Sequence, residues 1–296
     1  MRTFALLALL TLLLPSVSRA ELFYLIVGGL GGDPVYSAKF AAAANSMARA
    51  AERTLGSSDG VLLLNGEDAT LEGLRDSLAE LSGNTGPGDR LAVFLIGHGS
   101  YDGTQYKFNL TGDDIDGAEL AELIAAVPAQ NKLIVNMTSA SGSVFEAWSG
   151  EGRSVITATR SGAERNATRF AEHWAAALSS DDADLNKNGS VSAQEAYDYA
   201  SRLVADSYEA DGALATEHSQ ISGDATGAFE VARLTERVAL TPEVDALNSR
   251  LGELEEQVAA LRLRREELGD DYLPQLQSLL VELASVQEQI DAAAED

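Results

Sequence analysis

Short apolar runs that alternate with helical stretches constrain the fold of this chain more than any other feature. Runs rich in Val, Ile and Leu recur at positions 22–27, 61–64, 91–96, 133–135 and 155–157. Stretches with the apolar spacing of helices lie between or after them, at positions 38–55, 71–81, 118–127 and 167–178. This alternation predicts an α/β fold with a mainly parallel sheet and flanking crossover helices. Because functional residues in such sheets follow the carboxyl ends of strands, chemistry is expected where these runs end.

The composition excludes several classes of function. The chain carries 46 acidic and 21 basic residues, for a formal net charge of −25. Such a surface repels phosphate backbones, so no nucleic-acid partner is expected, and we interpret the acidic surface as solubilising. The absence of cysteine excludes disulfides, iron–sulfur clusters, cysteine-ligated zinc and any thiol nucleophile.

The N-terminus has the layout of a secretory signal. Arg2 is followed by an apolar run over 4–14, then by Pro15 and the small-x-small triplet Ser18-Arg19-Ala20. The run is about 11 residues long, whereas a membrane-spanning helix needs about 20. We therefore expect a signal peptide over residues 1–20, cleavage after Ala20, secretion to the periplasm and no membrane span in the mature chain. An N-terminal core helix is the alternative.

The C-terminal tail differs from the rest of the chain. Apolar residues recur there at alternating three- and four-residue steps, namely Val244, Leu247, Leu251, Leu254, Val258, Leu261, Leu268, Leu276, Leu280, Leu283 and Ile290. Thr241-Pro242-Glu243 suits a helix start, and Gly269-Asp270-Asp271 breaks the pattern. The spacing predicts an α-helical coiled-coil hairpin over 241–296, which packs on its own domain or self-associates between chains.

Two of the apolar runs end in residues suited to catalysis. The third ends in Ile96-Gly97-His98-Gly99-Ser100, which exposes an imidazole at the sheet edge and leaves the backbone free to approach a ligand. The fourth leads into Asn136-Met137-Thr138-Ser139-Ala140-Ser141-Gly142, a small loop rich in hydroxyl groups. Their order and separation matter more than either motif alone.

Together these motifs resemble the caspase-like peptidases, above all the legumain-type branch, in which one strand ends in His-Gly and the next in Cys-x-Ser-Gly. The resemblance covers residues 22–220 and implies a caspase-like (caspase–hemoglobinase) fold over residues 21–240. It places His98 at the general base, Gly99 at a backbone N–H that helps to hold the oxyanion, and Ser139 at the nucleophile. This chain departs from the family in having Ser139 for Cys, and Met137-Thr138 where legumains have acidic-Ala.

The serine leaves two functions open. A cysteine paired with histidine can rest as a thiolate, whereas a serine needs a base that a third group orients. One interpretation is a catalytically impaired homologue that recognises or scaffolds a peptide or protein ligand, with Ser139 a solvent-facing loop hydroxyl. The other is an endopeptidase with a His98–Ser139 dyad, for which Asp102, Asp113 and Asp114 are candidate orienting groups by proximity.

A second motif matches a 12-residue EF-hand-type calcium loop over 184–195. Its candidate ligands, in loop order, are Asp184, Asn186, Asn188, Ser190, Ser192 and Glu195. Gly189 occupies the sharp turn, and Val191 is the hydrophobic anchor. With only two carboxylates the expected dissociation constant is on the order of 10⁻⁵ to 10⁻³ M, and the Ca²⁺ is expected to be structural. The alternative is an Asp/Asn-rich turn that caps the helix after Glu195.

The remaining motifs are weaker. The segment Gly28-Gly29-Leu30-Gly31-Gly32 follows a strand but lacks the G-x-G-x-x-G spacing, so it predicts a tight turn near the cleft and no nucleotide site. His173 lies within a helical pattern and is interpreted as structural, whereas the pattern around His218 assigns it no role.

Overall fold

The computed structural model describes residues 20–223, 226–235 and 242–294. Its strands are β1 (Leu22–Gly28), β2 (Val61–Asn65), β3 (Arg90–Ile96), β4 (Gly99–Tyr101), β5 (Tyr106–Phe108), β6 (Ile115–Asp116), β7 (Asn131–Asn136), β8 (Arg153–Thr157), β9 (Ser190–Ser192), β10 (Gln220–Ser222) and β11 (Glu230–Arg233). Its α-helices are α1 (Pro34–Leu55), α2 (Leu71–Asn84), α3 (Gly117–Ala126), α4 (Phe145–Trp148), α5 (Phe170–Ala177), α6 (Ala193–Ala210), α7 (Pro242–Leu263), α8 (Arg265–Leu268) and α9 (Tyr272–Ala294).

The central sheet has the strand order β10-β8-β7-β3-β1-β2. Neighbours from β8 to β2 pair in parallel, and only the short edge strand β10 runs antiparallel. The mixed α/β class with a mainly parallel sheet and flanking helices is thus confirmed. The five apolar runs became β1, β2, β3, β7 and β8. The inner strands β1, β3 and β7 are buried on both faces and therefore need apolar residues almost throughout, whereas the edge strand β2 is only half-buried.

The short strands were not predicted. β4, β5 and β6 form an antiparallel sheet directly after the His98 loop, and β9 pairs with β11 across 40 residues of sequence. Two or three residues are too few for an apolar period to be visible, so only tertiary contacts define these strands.

Each face of the central sheet carries its own apolar core. Alternate residues of β1 and β3, such as Ile26 and Phe94, pack with α1, α5 and α6, while Leu25 and Leu95 pack with α2 and α3 on the other face. The last turn of α1 also ties β11 to this domain, because Arg53 donates to the carbonyls of Arg233 (3.0 Å) and Leu178 (2.8 Å).

The C-terminal helices pack against each other. Leu251 and Leu254 of α7 and Val286 of α9 form a buried cluster of their own, flanked by Leu247, Leu279, Leu283 and Ile290. Arg250 of α7 is paired with Glu282 of α9. The chain reverses through α8 and a single 3₁₀ turn at Gly269–Asp271, where the sequence predicts a break. The coiled-coil character of this pair stays a prediction.

Several expectations fall outside the described residues. They concern the signal segment over 1–19, Thr241 as a helix cap and the side chain of Val244 in the apolar seam. Among the helices that the structure does describe, none is both long enough and apolar enough to cross a bilayer.

A buried carboxylate holds the start of α5. Glu217, which is 4% exposed, accepts hydrogen bonds from the backbone N–H groups of Arg169 (2.7 Å) and Phe170 (3.3 Å) and from the Tyr208 hydroxyl (3.3 Å). Burial raises the pKa of this carboxyl above its ordinary value, even though these hydrogen bonds favour the charged form. Glu217 therefore joins α5 to α6, although burial desolvates its carboxylate and disfavours the charged form.

We predict that Glu217 lowers stability as the pH rises. The folded state keeps its proton where the unfolded state, with an ordinary pKa of about 4.3, has released it, so the free energy of unfolding falls as pH rises from that value toward the raised pKa. Glu217→Gln removes this pH dependence. Urea titrations at several pH values in that interval should therefore show the free energy of unfolding of the variant rising relative to that of the native protein as the pH increases. Glu80→Gln, at an exposed position of α2, is the control. If the native protein instead gains free energy of unfolding relative to the variant as the pH rises, the pKa of Glu217 is lowered and not raised.

Candidate functional site

The carboxyl edge of the central sheet gathers the residues that the motifs indicate. Parallel pairing continues past the strand ends, since Gly29 N–H donates to Ile96 O and Met137 N–H donates to Leu95 O. Gly97 has a φ of 148°, and its backbone lies against Gly29. Glycine adopts this conformation without strain, and it turns the chain so that His98 lies at the carboxyl edge of the sheet.

Two aromatic rings of α1 contact the His98 imidazole. The ring centroids of Tyr36 and Phe40 lie 4.9 Å and 5.0 Å from that of His98, both in edge-to-face geometry. Within the described part of the chain, neither nitrogen of the His98 ring is hydrogen bonded to a side chain. Nothing in the sequence marked Tyr36 and Phe40 as site residues, because they lie some 60 positions earlier on a helix whose apolar spacing is that of any core helix.

Side-chain hydrogen bonds hold the loop after β7 in place. The Thr138 hydroxyl bonds with the Tyr106 hydroxyl (2.6 Å) and with Asn136 Oδ1 (2.8 Å). Ala140 adopts a left-handed φ of 57°, which is unusual for a residue with a side chain. Ser141 Oγ lies 3.1 Å from Thr159 Oγ1 of the following loop. This network fixes the backbone on both sides of Ser139.

Ser139 itself is buried, with 2% of its surface exposed. The interpretation of Ser139 as a solvent-facing loop hydroxyl is therefore wrong, because the neighbouring loops cover it. In the described chain its Oγ is hydrogen bonded neither to His98 nor to another side chain. A serine in this state has no base within hydrogen-bonding distance.

Gly99 brings the two loops into direct contact. A Cβ added at Gly99 would lie 2.5 Å from Ser139 O, 2.6 Å from Thr138 Oγ1 and 2.7 Å from the Tyr106 ring. Only a residue without a side chain allows this approach. The structure thus places the three predicted residues His98, Gly99 and Ser139 at one edge, although the His98–Ser139 hydrogen bond is not made.

Two of the three acidic residues suggested as orienting groups have other roles, and the Asp113 side chain is hydrogen bonded neither to His98 nor to another side chain of the described residues. Asp102 accepts the N–H groups of Thr104 and Gln105 (both 2.8 Å), which lowers the pKa of its carboxyl, and Asp114 accepts the Leu110 N–H (3.1 Å). Both stabilise turns of the small antiparallel sheet. In the described residues, His98 therefore has no carboxylate partner.

The acid–histidine pair of this edge is Glu164–His218, to which the sequence assigned no role. His218 Nδ1 lies 2.6 Å from Glu164 Oε1, and Glu164 Oε2 accepts the backbone N–H groups of His218 (3.1 Å) and Arg160 (2.8 Å). The Glu164 carbonyl also accepts the Ala140 N–H (2.8 Å), which ties the pair to the Ser139 loop. The two residues are 54 positions apart, so only the β8–β10 pairing brings them together.

A cavity of about 930 Å³ is lined by Tyr36 and Phe40, whose rings contact His98, but His98 itself does not line it. Its walls come from α1, α5 and the end of α6, and include Tyr36, Phe40, Ala43, Arg169 and Tyr208. A ligand in the cavity would therefore touch the two rings that pack on the imidazole. Its size and its aromatic and alanine lining suit an apolar group with few polar partners.

His173 is half-buried on α5, where burial lowers its pKa. The 28–32 segment does not form the predicted tight turn, because the N–H groups of Gly29 and Leu30 continue to donate to neighbouring segments, at Ile96 O and Asn109 O, and the chain bends only at positions 32–33 before α1. A Cβ at Gly31 would lie 2.3 Å from the Ser37 N atom.

The 184–195 loop folds around its two carboxylates. Asp184 and Glu195 are 4% and 8% exposed. Asp184 accepts the N–H groups of Asn188 and Gly189, and Glu195 accepts those of Leu185, Asn186 and Ser192 at 2.9–3.3 Å. Neither carboxylate is paired with a basic side chain in the described residues, and Lys187 donates to the Asp181 carbonyl instead.

The second half of this loop is part of the domain core. Val191 is fully buried, and Ser190–Ser192 pairs with β11. Ser192 also caps α6 in a capping box with Glu195, as the capping interpretation predicts. The oxygen-rich donors and the inward carboxylates equally fit a calcium ion, because capping and metal binding use the same loop.

Comparison with solved structures finds 47 similar chains. The crystal structure of the Drosophila initiator caspase Dronc is similar to this chain with a TM-score of 0.42 and 11% sequence identity, over 69% of this chain and 79% of that chain. No protein-family model matches the sequence, and no curated protein matches it.

We predict that Gly99→Ala disrupts the contact between the two loops. The added Cβ must push the Ser139 backbone away, and such overpacking costs about 1–3 kcal/mol of unfolding free energy. Thermal unfolding should show a lower Tm for this variant. Gly83→Ala, on α2 with open space around it, is the matched control and should lose nothing. Equal Tm values for the two variants would contradict the close approach at Gly99.

Proposed function

We propose that this protein is a secreted caspase/legumain-like peptidase-fold protein that is catalytically impaired and recognises or scaffolds a peptide or protein ligand. The family proposal is supported by the His98-Gly99 and Ser139-x-Ser141-Gly142 motifs, which follow adjacent parallel strands of the sheet. Secretion is supported by the signal-like pattern over residues 1–20.

One observation carries the proposal of impaired catalysis. Ser139 is 2% exposed and has no hydrogen bond to His98, whose ring instead lies edge-on against Tyr36 and Phe40. A cysteine could rest here as a thiolate, but a serine must lose its proton during attack. Without a base at the hydroxyl and a carboxylate at the base, that step has no acceptor for the proton.

The recognition role is supported by the cavity that Tyr36 and Phe40, the two residues in contact with His98, help to line. Its volume of about 930 Å³ is large enough for several side chains, and its lining combines Tyr36, Phe40 and Tyr208 with the cations Lys39 and Arg169. A peptide with a large apolar side chain fits such a site, because the aromatic rings supply contact area and the polar rim orients the backbone.

The second candidate function is an endopeptidase with a His98–Ser139 dyad. The observation that favours it is the packing of Gly99 against Ser139, which places the base and the nucleophile on touching loops. Catalytic hydrogen bonds are often made only when substrate binds, so a rearrangement of these loops would complete the dyad.

A fluorophosphonate probe separates the two functions. We expect no adduct on Ser139, because no base activates its hydroxyl and the residue is buried. An adduct on Ser139 found by mass spectrometry, and lost in His98→Ala, would establish the endopeptidase. The peptide 133–153, which is produced by cleavage after Lys132 and Arg153, must be detected. Otherwise the absence of the peptide could be mistaken for the absence of an adduct.

Two single-cysteine variants extend the test of impaired catalysis. The chain has no cysteine, so Ser139→Cys introduces a single thiol. We expect it to react with iodoacetamide far more slowly than the thiol of the control Ser100→Cys, which lies at an exposed position beside the same site. A thiol at position 139 that reacts fast, has a low pKa and is slowed by His98→Ala would contradict the proposal that geometry impairs catalysis. The Cys-to-Ser change would then be the only remaining cause of the impairment.

We further propose that the 184–195 loop binds a structural calcium ion. Asp184 and Glu195 would hold it with their carboxylates, and Asn186, Asn188, Ser190 and Ser192 would supply the remaining oxygens. The support is that both carboxylates are buried without a basic partner in the described residues. Bound calcium would neutralise these charges and link the loop to β11.

Calcium should therefore raise the Tm of the native protein, and chelation should lower it, because a ligand that binds only the folded state stabilises it. At a calcium concentration about 100 times the dissociation constant the gain is about 2.7 kcal/mol. Glu195→Gln should abolish this calcium-dependent shift, whereas Glu209→Gln, exposed on the same helix, should keep it. A native Tm that is the same with calcium and with chelator would show that the loop only caps α6.

A further inference from the structure

A small chamber lies against the 184–195 loop, and one of its walls carries a carboxylate that the loop motif does not include. The chamber has a volume of about 90 Å³. Organic ligands need pockets of about 300 Å³ or more, so a space of this size suits a single ion with its water molecules. Its polar walls include Asn186, Asn188, Ser190 and Ser192 of the loop and Glu230 and Arg233 of β11.

Strand pairing places Glu230 beside the loop. Glu230 of β11 lies opposite Ser192 of β9, and residues opposite each other in an antiparallel pair have their side chains on the same face. Ser190 shares that face, because it lies two positions before Ser192, whereas Val191 between them is fully buried. The Ser190 hydroxyl donates to Glu230 Oε1 at 3.2 Å. Glu230 therefore contacts a residue that the motif assigns to the ion.

The two carboxylates of the loop contact the other walls of the chamber. Ser192 Oγ donates to Glu195 Oε2 at 2.8 Å, and the Asn188 N–H donates to Asp184 Oδ1 at 3.1 Å. Asp184 and Glu195 are buried, whereas 28% of the Glu230 side chain is exposed. The residues at which a cation is expected are thus in contact with three carboxylates, of which Glu230 is the most accessible.

The charges around the chamber balance only when Arg233 is included. Its Nε and Nη2 donate to Oε1 (3.1 Å) and Oε2 (3.2 Å) of Glu230. Asp184, Glu195 and Glu230 carry three negative charges, which one Ca²⁺ and one guanidinium together neutralise. Arg233 therefore compensates the third carboxylate, so that its presence beside two others is not a net excess of negative charge once calcium is bound.

We propose that Glu230 is a further ligand of the calcium ion, supplied by β11 from outside the 184–195 loop. This inference rests on the calcium site proposed above for that loop. Glu230 raises the number of carboxylates at the ion from two to three, and calcium affinity depends on the charge of the ligands and the rigidity of the site. The ion then joins the loop to β11 directly, in addition to their strand pairing.

Calorimetric titration of the chelator-treated mature protein with calcium tests this role. Glu230→Gln keeps an acceptor for the Ser190 hydroxyl and removes the charge. It should weaken calcium binding about tenfold or more, since even outer-shell partners of metal ligands are worth about 10–100-fold. Glu209→Gln removes a charge from an exposed position of α6 and should bind calcium as the native protein does.

The failure of this inference differs from the failure of the calcium site. Native binding that Glu230→Gln leaves unchanged would remove Glu230 from the ligands and leave the loop site intact. A native protein that binds no calcium would overturn the site itself, and the role of Glu230 with it. Circular dichroism of each variant verifies that the fold is retained.

Arg233→Gln separates a ligand from a structural ion pair. This variant keeps the backbone contacts that hold β11 to α1, in which the Arg233 N–H donates to Thr54 Oγ1 (2.9 Å) and Arg53 donates to the Arg233 carbonyl (3.0 Å). Because it removes a positive charge beside the ion, it should bind calcium at least as tightly as the native protein. If it weakens binding as much as Glu230→Gln does, Glu230 acts through its ion pair and is not a ligand.

Europium luminescence tests direct ligation. Eu³⁺ substitutes for Ca²⁺, and its luminescence lifetimes in H₂O and D₂O give the number of water molecules bound to it. Glu230→Ala should add about one or two bound waters, according to whether the carboxylate binds through one oxygen or both, and Arg233→Gln should add none. An unchanged number of waters in Glu230→Ala would mean that Glu230 acts on the ion only by its charge, and would overturn the proposal.

Discussion

The parallel pairing of β3 with β7 is the contact on which the candidate site depends. The two strands run side by side from Arg90 and Asn131 to Leu95 and Asn136, and the pairing continues one step further through the Met137 N–H. Because both strands are buried on both faces, a slip in register would draw polar residues at their ends, such as the exposed Asn131, into the core. The pairing therefore sets where His98 and Ser139 emerge, and Gly99 lets their loops touch.

What the loops do after they meet is decided by their neighbours. His98 packs against two aromatic rings of α1, whereas Ser139 is enclosed by a network that includes the buried Tyr106, whose pKa burial raises to about 12. A phenol that stays protonated serves as a hydrogen-bond donor and does not act as a base at neutral pH. Groups around Ser139 thus stabilise its loop, and in the described residues none of them accepts a hydrogen bond from the Ser139 hydroxyl.

The periphery of the domain is coupled to its core by few but specific contacts. The 184–195 loop pairs with β11 through Ser190–Ser192, and β11 is in turn held by Arg53 and Thr54 of α1. The loop is thus connected through β11 to the last turn of the helix whose first two turns supply Tyr36 and Phe40 to the site. The C-terminal hairpin differs, because its buried cluster contains residues of α7 and α9 alone.

The sequence by itself determined the fold class and the candidate residues. Strands such as β1 and β3 and helices such as α2 are long enough for their apolar patterns to be recognised, and the spacing of oxygen-bearing residues identified the 184–195 loop. His98 and Ser139 were assigned through the resemblance of their motifs to those of the caspase-like peptidases. Only the tertiary structure decided the contacts between distant segments. It placed Tyr36 and Phe40 on His98, paired Glu164 with His218 and buried Ser139. The physical reason is that local periodicity reports which face of an element is buried, whereas a site depends on which elements meet.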